Sequence, residues 1–131
     1  EEETTALRLP SGFAVIRFVR VYVADGVPLT HSRISLPAHR LPGMETFDMA
    51  NKSIFGTISE RYGLTVARAD RWMSAAIANE TVAQRLEIAP GFPLIRIQSI
   101  AYDHDALPLE YYRAYYNADV SPIHLSVDSK R

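Results

Sequence analysis

An α+β domain is what the sequence predicts: an antiparallel sheet of about six strands with helices packed on it. Three observations carry that expectation. Two stretches, Leu7 to Leu29 and Leu86 to Leu109, share one plan: a Leu-containing lead-in, a Pro/Ser-Gly turn, a long strand, a polar turn and a second strand. Two segments of helical periodicity lie between them. And 131 residues, 47% hydrophobic and 22% charged, make one ordinary folded domain with little room for a second.

Taken in order, the acidic start Glu1-Glu2-Glu3 reads as a frayed end or linker remnant. The first hairpin follows, turning at Ala24-Asp25-Gly26, where Asp and Gly tolerate the positive φ of a tight turn. From Asn51 to Tyr62, the residues Ile54, Phe55, Ile58 and Tyr62 recur at helical spacing. Asn51 suits the N-cap, and Gly63 suits a left-handed stop. Leu64 to Ile77 reads as a strand, with Ala75-Ala76 leaving helix open. A short helix is expected over Glu80 to Leu86, capped by Asn79 and turning Val82, Ala83 and Leu86 inward. The second hairpin turns at Asp103-His104-Asp105-Ala106, and a last strand is expected near Ile123 to Val127.

The hairpins align as an internal pseudo-repeat. Gly12 matches Gly91, Phe13 matches Phe92, and Ile16-Arg17 matches Ile95-Arg96. With one extra residue allowed in the second turn, Pro28-Leu29 matches Pro108-Leu109, which equates Thr30 with Glu110 and Ser32 with Tyr112.

Strand alternation sorts these residues by face. On the first long strand Ile16, Phe18, Arg20 and Tyr22 share one face, and Val15, Arg17, Val19, Val21 and Val23 the other. Both rows are mostly apolar, which predicts cover on both sides by helices or a second subunit. Arg20 then falls in a shielded row, where a guanidinium needs an anion or several acceptors. Two readings stand: a structural contact with Glu110 or a sheet-edge carbonyl, or a ligand-binding Arg. Thr30 and Ser32 share the inner face of the next strand, and Glu110, Tyr112, Ala114 and Tyr116 take the equivalent face of the second hairpin. An Arg from one hairpin, with a Glu and Tyr hydroxyls from the other, can converge on a small-molecule pocket. Tyr111 and Tyr115 read instead as β-favouring strand residues, suited to a dimer interface. Trp72 and Met73 are assigned to the core, with a pocket wall as the alternative.

Other chemistries find no support. Cys is absent, so there are no disulfides or thiolates. The four His residues lack metal-ligand spacing, and Asp103-His104-Asp105 reads as a solvated turn. No GxSxG elbow or phosphate-cradling glycine loop is present. The net charge of −1 offers no basic nucleic-acid surface, although twelve of the 14 basic residues are Arg, which suits a grip on carboxylate or phosphate. No apolar run could span a bilayer and no signal peptide opens the chain, so a cytoplasmic protein without cofactor or metal is expected.

The motifs together resemble a known family. They are the run from Arg20 to Pro28 (RVYVADGVP), Ser35-Leu-Pro37, Ser53-Ile-Phe55 ahead of Arg61-Tyr-Gly63, Ala83 to Gly91, and Pro108-Leu-Glu110-Tyr111. In order and spacing they are similar to the UTRA domain, the effector-binding half of many GntR-family bacterial transcription regulators, which has a chorismate-lyase-like fold. The resemblance implies a sensor that binds a small metabolite, forms a homodimer through this domain, and sets the spacing of winged helix-turn-helix domains on DNA. That DNA-binding part, normally N-terminal, is expected to be absent here, leaving residues 1–131 as a single effector-binding domain. Carried over by position, Arg20 corresponds to the first Arg of the family's Arg-x-Arg, whose second Arg is Tyr22 here. Ser53 corresponds to a hydroxyl that helps hold the anion, at a helix N-terminus that favours such charge. Phe55 stands where some relatives have Tyr, Ser32 replaces an acidic residue, and Glu110 and Tyr116 match the family pattern. The single retained Arg20 implies an anionic effector with one carboxylate or a phosphate. A non-enzymatic role is expected. The alternatives are a chorismate-lyase-like enzyme acting on an enol-ether acid, and a dimerisation module with a vestigial pocket.

Overall fold

A computed structural model describes residues 2–129. Five strands form one antiparallel sheet in the order β1-β2-β5-β4-β3. The strands are β1 (Val15–Ala24), β2 (Val27–Pro37), β3 (Arg68–Ile77), β4 (Pro93–Tyr102) and β5 (Pro108–Tyr116). Among the described residues, three α-helices, α1 (Glu2–Ala6), α2 (Ile54–Tyr62) and α3 (Glu80–Leu86), and two 3-10 turns, Ala38–Arg40 and Met44–Thr46, complete the fold. The α+β class is as expected, with five strands in place of six. The segment near Ile123 to Val127 has no regular structure. Leu125 is exposed and Val127 is 90% exposed, so no apolar burial offsets the entropy of ordering a sixth strand there. Among the described residues, no helix is long and apolar enough to cross a membrane.

Local chemistry explains most boundaries. Asp25 and Gly26 both have positive φ, the geometry a two-residue hairpin turn requires. The second turn is held by the Asp103 carboxylate, which accepts from the backbone N–H of Asp105 and of Leu107. Asn79 caps α3 by accepting from Val82 N–H, and Gly63 closes α2 at φ 68°. The cap of α2 differs from expectation. Asn51 sits at φ 59°, outside the helix, and Ser53 takes the role by accepting from Gly56 N–H at 3.0 Å. Ala75-Ala76 is strand, as the β3 pairing with β4 requires.

The two hairpins break register at matching positions. In β1 the shift falls between Tyr22 and Val23, opposite Thr30 and Pro28. In β4 it falls between Ala101 and Tyr102, opposite Glu110 and Pro108.

Each face of the sheet carries its own core. On one, Ile54 and Ile58 of α2 pack with Ile16, Ile34, Leu36 and Leu109. On the other, Val82, Ala83 and Leu86 of α3 pack with Ala78 and Leu94. Helix α1 lies on this second face as well. There the Glu3 carboxylate accepts from Arg17 Nε and Nη2 and from Ser35 Oγ, and lies 3.4 Å from Arg113 Nη2. Glu2 and Glu3 are therefore fixed helix residues, where a frayed end was expected; Glu1 lies outside the described residues.

Two burial expectations need correction. β1 is an edge strand, and its cover is partial: Ile16 is buried against α2, but Val19 and Val23 are exposed and Tyr22 is 64% exposed. Trp72 and Met73 are exposed too, because β3 is the opposite edge of the sheet.

Candidate functional site

The cross-strand register gathers the candidate residues on the α2 face. One row runs Arg20, Ser32, Ala114, Ile97, Met73 from β1 to β3. The next runs Phe18, Ile34, Tyr112, Ser99, Arg71. Where the first row crosses the middle of the sheet, Ser32 and Ala114 are small and leave the floor low. Above it opens a cavity of about 840 Å³. Its lining away from the sheet comes from the loop carrying Ala50 and Asn51 and from the irregular segment carrying Ile123, His124 and Leu125.

Arg20, Tyr22, Ser32 and Tyr116 all line this cavity. Arg20 Nη2 donates to the carbonyls of Met49 and Lys52, the second at 2.6 Å, which ties the guanidinium to the loop ahead of α2. Its Nε and Nη1 make no hydrogen bond among the described residues, and no ion pair joins it to Glu110. Neither structural contact foreseen for Arg20 is made: it does not pair with Glu110, and the carbonyls it meets belong to a loop, not to a sheet edge. Tyr22 stands at the rim. The Tyr116 hydroxyl donates to the Ser121 carbonyl at 2.7 Å and holds the irregular segment in place.

Ser53, Phe55 and Glu110 do not reach the lining. Ser53 is occupied as the α2 cap, and Phe55 is an exposed residue of the first turn, both just past the loop that does line the cavity. Glu110 is buried on β5 opposite Ala101, with no hydrogen bond or ion pair among the described residues. Burial pushes its carboxyl up to about 7, opposed by the positive charge of Arg71. Burial, with the Glu110 charge adding to it, likewise raises the Tyr112 phenol.

Arg71, Asn51 and His124 line the cavity and were not among the predicted site residues. The signal for Arg71 lay in alternation along β3, which sets it on one face with Met73 and Ala75. Tyr111 and Tyr115 lie on the opposite face, Tyr111 buried with its hydroxyl donating to Glu2, Tyr115 half-buried against the α3 core. Trp72 lines a second hollow on that face, beside α1.

The family model described as the UTRA domain matches residues 1–120. The chain is 30% identical over 109 residues to the HTH-type transcriptional repressor PhnF of Mycolicibacterium smegmatis, covering 82% of this chain and 44% of that protein. The crystal structure of PhnF from Mycobacterium smegmatis superposes with a TM-score of 0.90 at 24% identity, over 97% of this chain and 56% of that one, a likeness of fold. A GntR-family transcriptional regulator from Enterococcus faecalis V583 superposes at 0.84 with 25% identity, over 98% and 90%. The chain spans about half the length of the curated relatives it matches. With the family model matching residues 1–120 and 30% identity to PhnF over 82% of the chain, the chain belongs to the UTRA family, the effector-binding domains of GntR-type transcription regulators.

Proposed function

We propose that the cavity on the α2 face binds a small anionic metabolite, a carboxylate or phosphate, and that the bound state alters DNA binding by a winged helix-turn-helix domain elsewhere in the protein. One observation carries this reading. The lining contains two guanidiniums and no carboxylate, and Arg20 presents unspent Nε and Nη1 donors beside the open volume. Such a site gains from anion entry what it lacks in internal charge balance. Ser32, Tyr22 and Tyr116 supply further polar contacts from the lining, with Ser53, Phe55 and Glu110 close behind it. The relative PhnF is described as a transcriptional repressor, which supports a sensing role over an enzymatic one.

The domain works as a homodimer in the cytoplasm, and β3 supports that reading. It is an edge strand with Trp72, Met73 and Ile77 exposed, which favours pairing with a second copy. We also read the hairpins β1–β2 and β4–β5 as repeats of one unit, on the strength of their matching register shifts. An effector changes DNA binding only through unequal affinity for the competent and incompetent dimer geometries.

A thermal-shift panel of inorganic phosphate, sugar phosphates and small carboxylates tests the site. At least one should raise the melting temperature of the native chain, and the Arg20→Ala variant, folded by circular dichroism, should lose that response. A stabiliser that acts equally on both removes Arg20 from the site. Incubation with chorismate should release no 4-hydroxybenzoate.

A further inference from the structure

The two guanidiniums of the cavity stand at its two ends. Arg20 is on β1 and Arg71 on β3, the first and last strands of the sheet. Four strand spacings separate their backbones, about 19 Å at the usual ~4.8 Å per strand. The register sets them in adjacent rows on one face, and both line the same cavity. Between them the lining includes Ser32, Ile97 and Tyr112 and no charged side chain from β2, β5 or β4. Arg20 spends only Nη2 on protein carbonyls. Arg71 makes no hydrogen bond or ion pair among the described residues.

Glu110 is the acid whose charge Arg71 feels, yet the two do not pair. Burial raises its carboxyl to about 7, so near neutral pH Glu110 offsets the positive charge of Arg71 only in part. A ligand with one acidic group can satisfy one end of this cavity and leaves the other cation facing empty space.

Resting on the reading of this cavity as an anion site, we propose that its ligand carries two separated acidic groups, one held by Arg20 and the other by Arg71. Arg71 is then the residue that selects diacids over monoacids. A single carboxylate or phosphate occupies the Arg20 end alone. The second acid adds a charge-assisted contact without adding to the cost of association already met by the first.

The test compares matched probes on the 131-residue chain: glutarate and adipate against valerate and hexanoate, with inorganic phosphate as a common reference. Affinity is read by calorimetry, and side-chain contact by the arginine Nε–H resonances of the labelled protein. Diacids should bind at least about tenfold tighter than monoacids of equal carbon count. Arg71→Ala should remove that preference while changing monoacid affinity by less than about twofold. Arg20→Ala should weaken both classes. Should diacids bind no better than monoacids, or keep their preference in Arg71→Ala, the role of Arg71 is refuted while the anion site stands. Should none of the probes bind the native chain, the anion site itself is refuted.

Discussion

Replacing Glu110 by Gln should make the protein more stable at pH 8 and flatten its dependence on pH. The native carboxyl sits at about 7 against an ordinary value of 4.5, because Glu110 is only 7% exposed and has no donor to hold its charge. Between those two values the folded chain keeps a proton that the unfolded chain has released. Stability therefore falls as pH rises through the window, and the loss is complete above pH 7. At about 1.4 kcal/mol per pH unit, the gap corresponds to about 3 kcal/mol. Gln has the same shape and no charge to desolvate, so it escapes this loss, less the smaller cost of burying an amide with unfilled hydrogen bonds. A net gain of about 1–2 kcal/mol at pH 8 is expected, vanishing or reversing at pH 4.5. Urea unfolding at pH 4.5, 6 and 8, with the variant subtracted from the native chain, isolates the effect, since all other titrating groups cancel. Parallel stability profiles, or a variant less stable at pH 8, would show that the carboxylate is well solvated or paired, and the reasoning from burial would fail.

Two further expectations concern the rest of the fold. Glu3→Gln should destabilise the protein at pH 7 by about 2 kcal/mol, discounted from the full linkage value because Arg17 is 65% exposed to screening water. The hydrogen bond from Arg17 holds the Glu3 carboxyl down at about 2, so this stability is present above pH 4.5 and is lost as pH falls toward 2; the gap between native and variant urea midpoints should close over that range. Ile58→Ala, at a site 1% exposed beneath α2, should cost about 3 kcal/mol with an unchanged denaturant slope, and a cost under 1 kcal/mol would mean that the core around Leu36 and Met44 collapses into the space.

Features fixed by a few adjacent residues could be read before the fold was known. Asp25-Gly26 must turn with positive φ, Asn79 must offer its side chain to Val82, and Gly63 must end α2, whatever surrounds them. The alignment of the hairpins set Ser32 and Tyr112 in equivalent places, and alternation brought Arg20, Ser32 and Tyr116 to one face. What could not be read was each strand's rank within the sheet. Val19 and Val23 have the composition of a covered strand, and only the order β1-β2-β5-β4-β3 reveals that β1 is an edge. The same ignorance hid Arg71. Its neighbours Trp72 and Met73 were given to the core by default, and only the edge position of β3 shows that Arg71 borders a cavity. Glu3 was missed for a related reason. An acidic terminus looks solvated until Arg17 and Arg113, brought together from two distant strands, give it a binding place.

Glu3 and Glu110 make the point that residue type does not set a role. Both are buried, on opposite faces of one sheet, and both start from an ordinary value of 4.5. Glu3 meets two guanidiniums and a hydroxyl, and those contacts outweigh its desolvation. Glu110 meets one unpaired cation beyond ion-pair distance, and desolvation wins. Their linkages have opposite signs over adjoining windows: stability from Glu3 grows as pH rises from about 2 to 4.5, and the penalty from Glu110 grows from 4.5 to about 7. From these two groups alone the folded state is favoured most near pH 4.5. At neutral pH the chain therefore holds a carboxyl in an unfavourable setting beside the cavity. A core position of purely structural purpose gains nothing from that cost, since a neutral residue of the same size avoids it. Glu110→Gln removes that cost, which is the gain expected at pH 8.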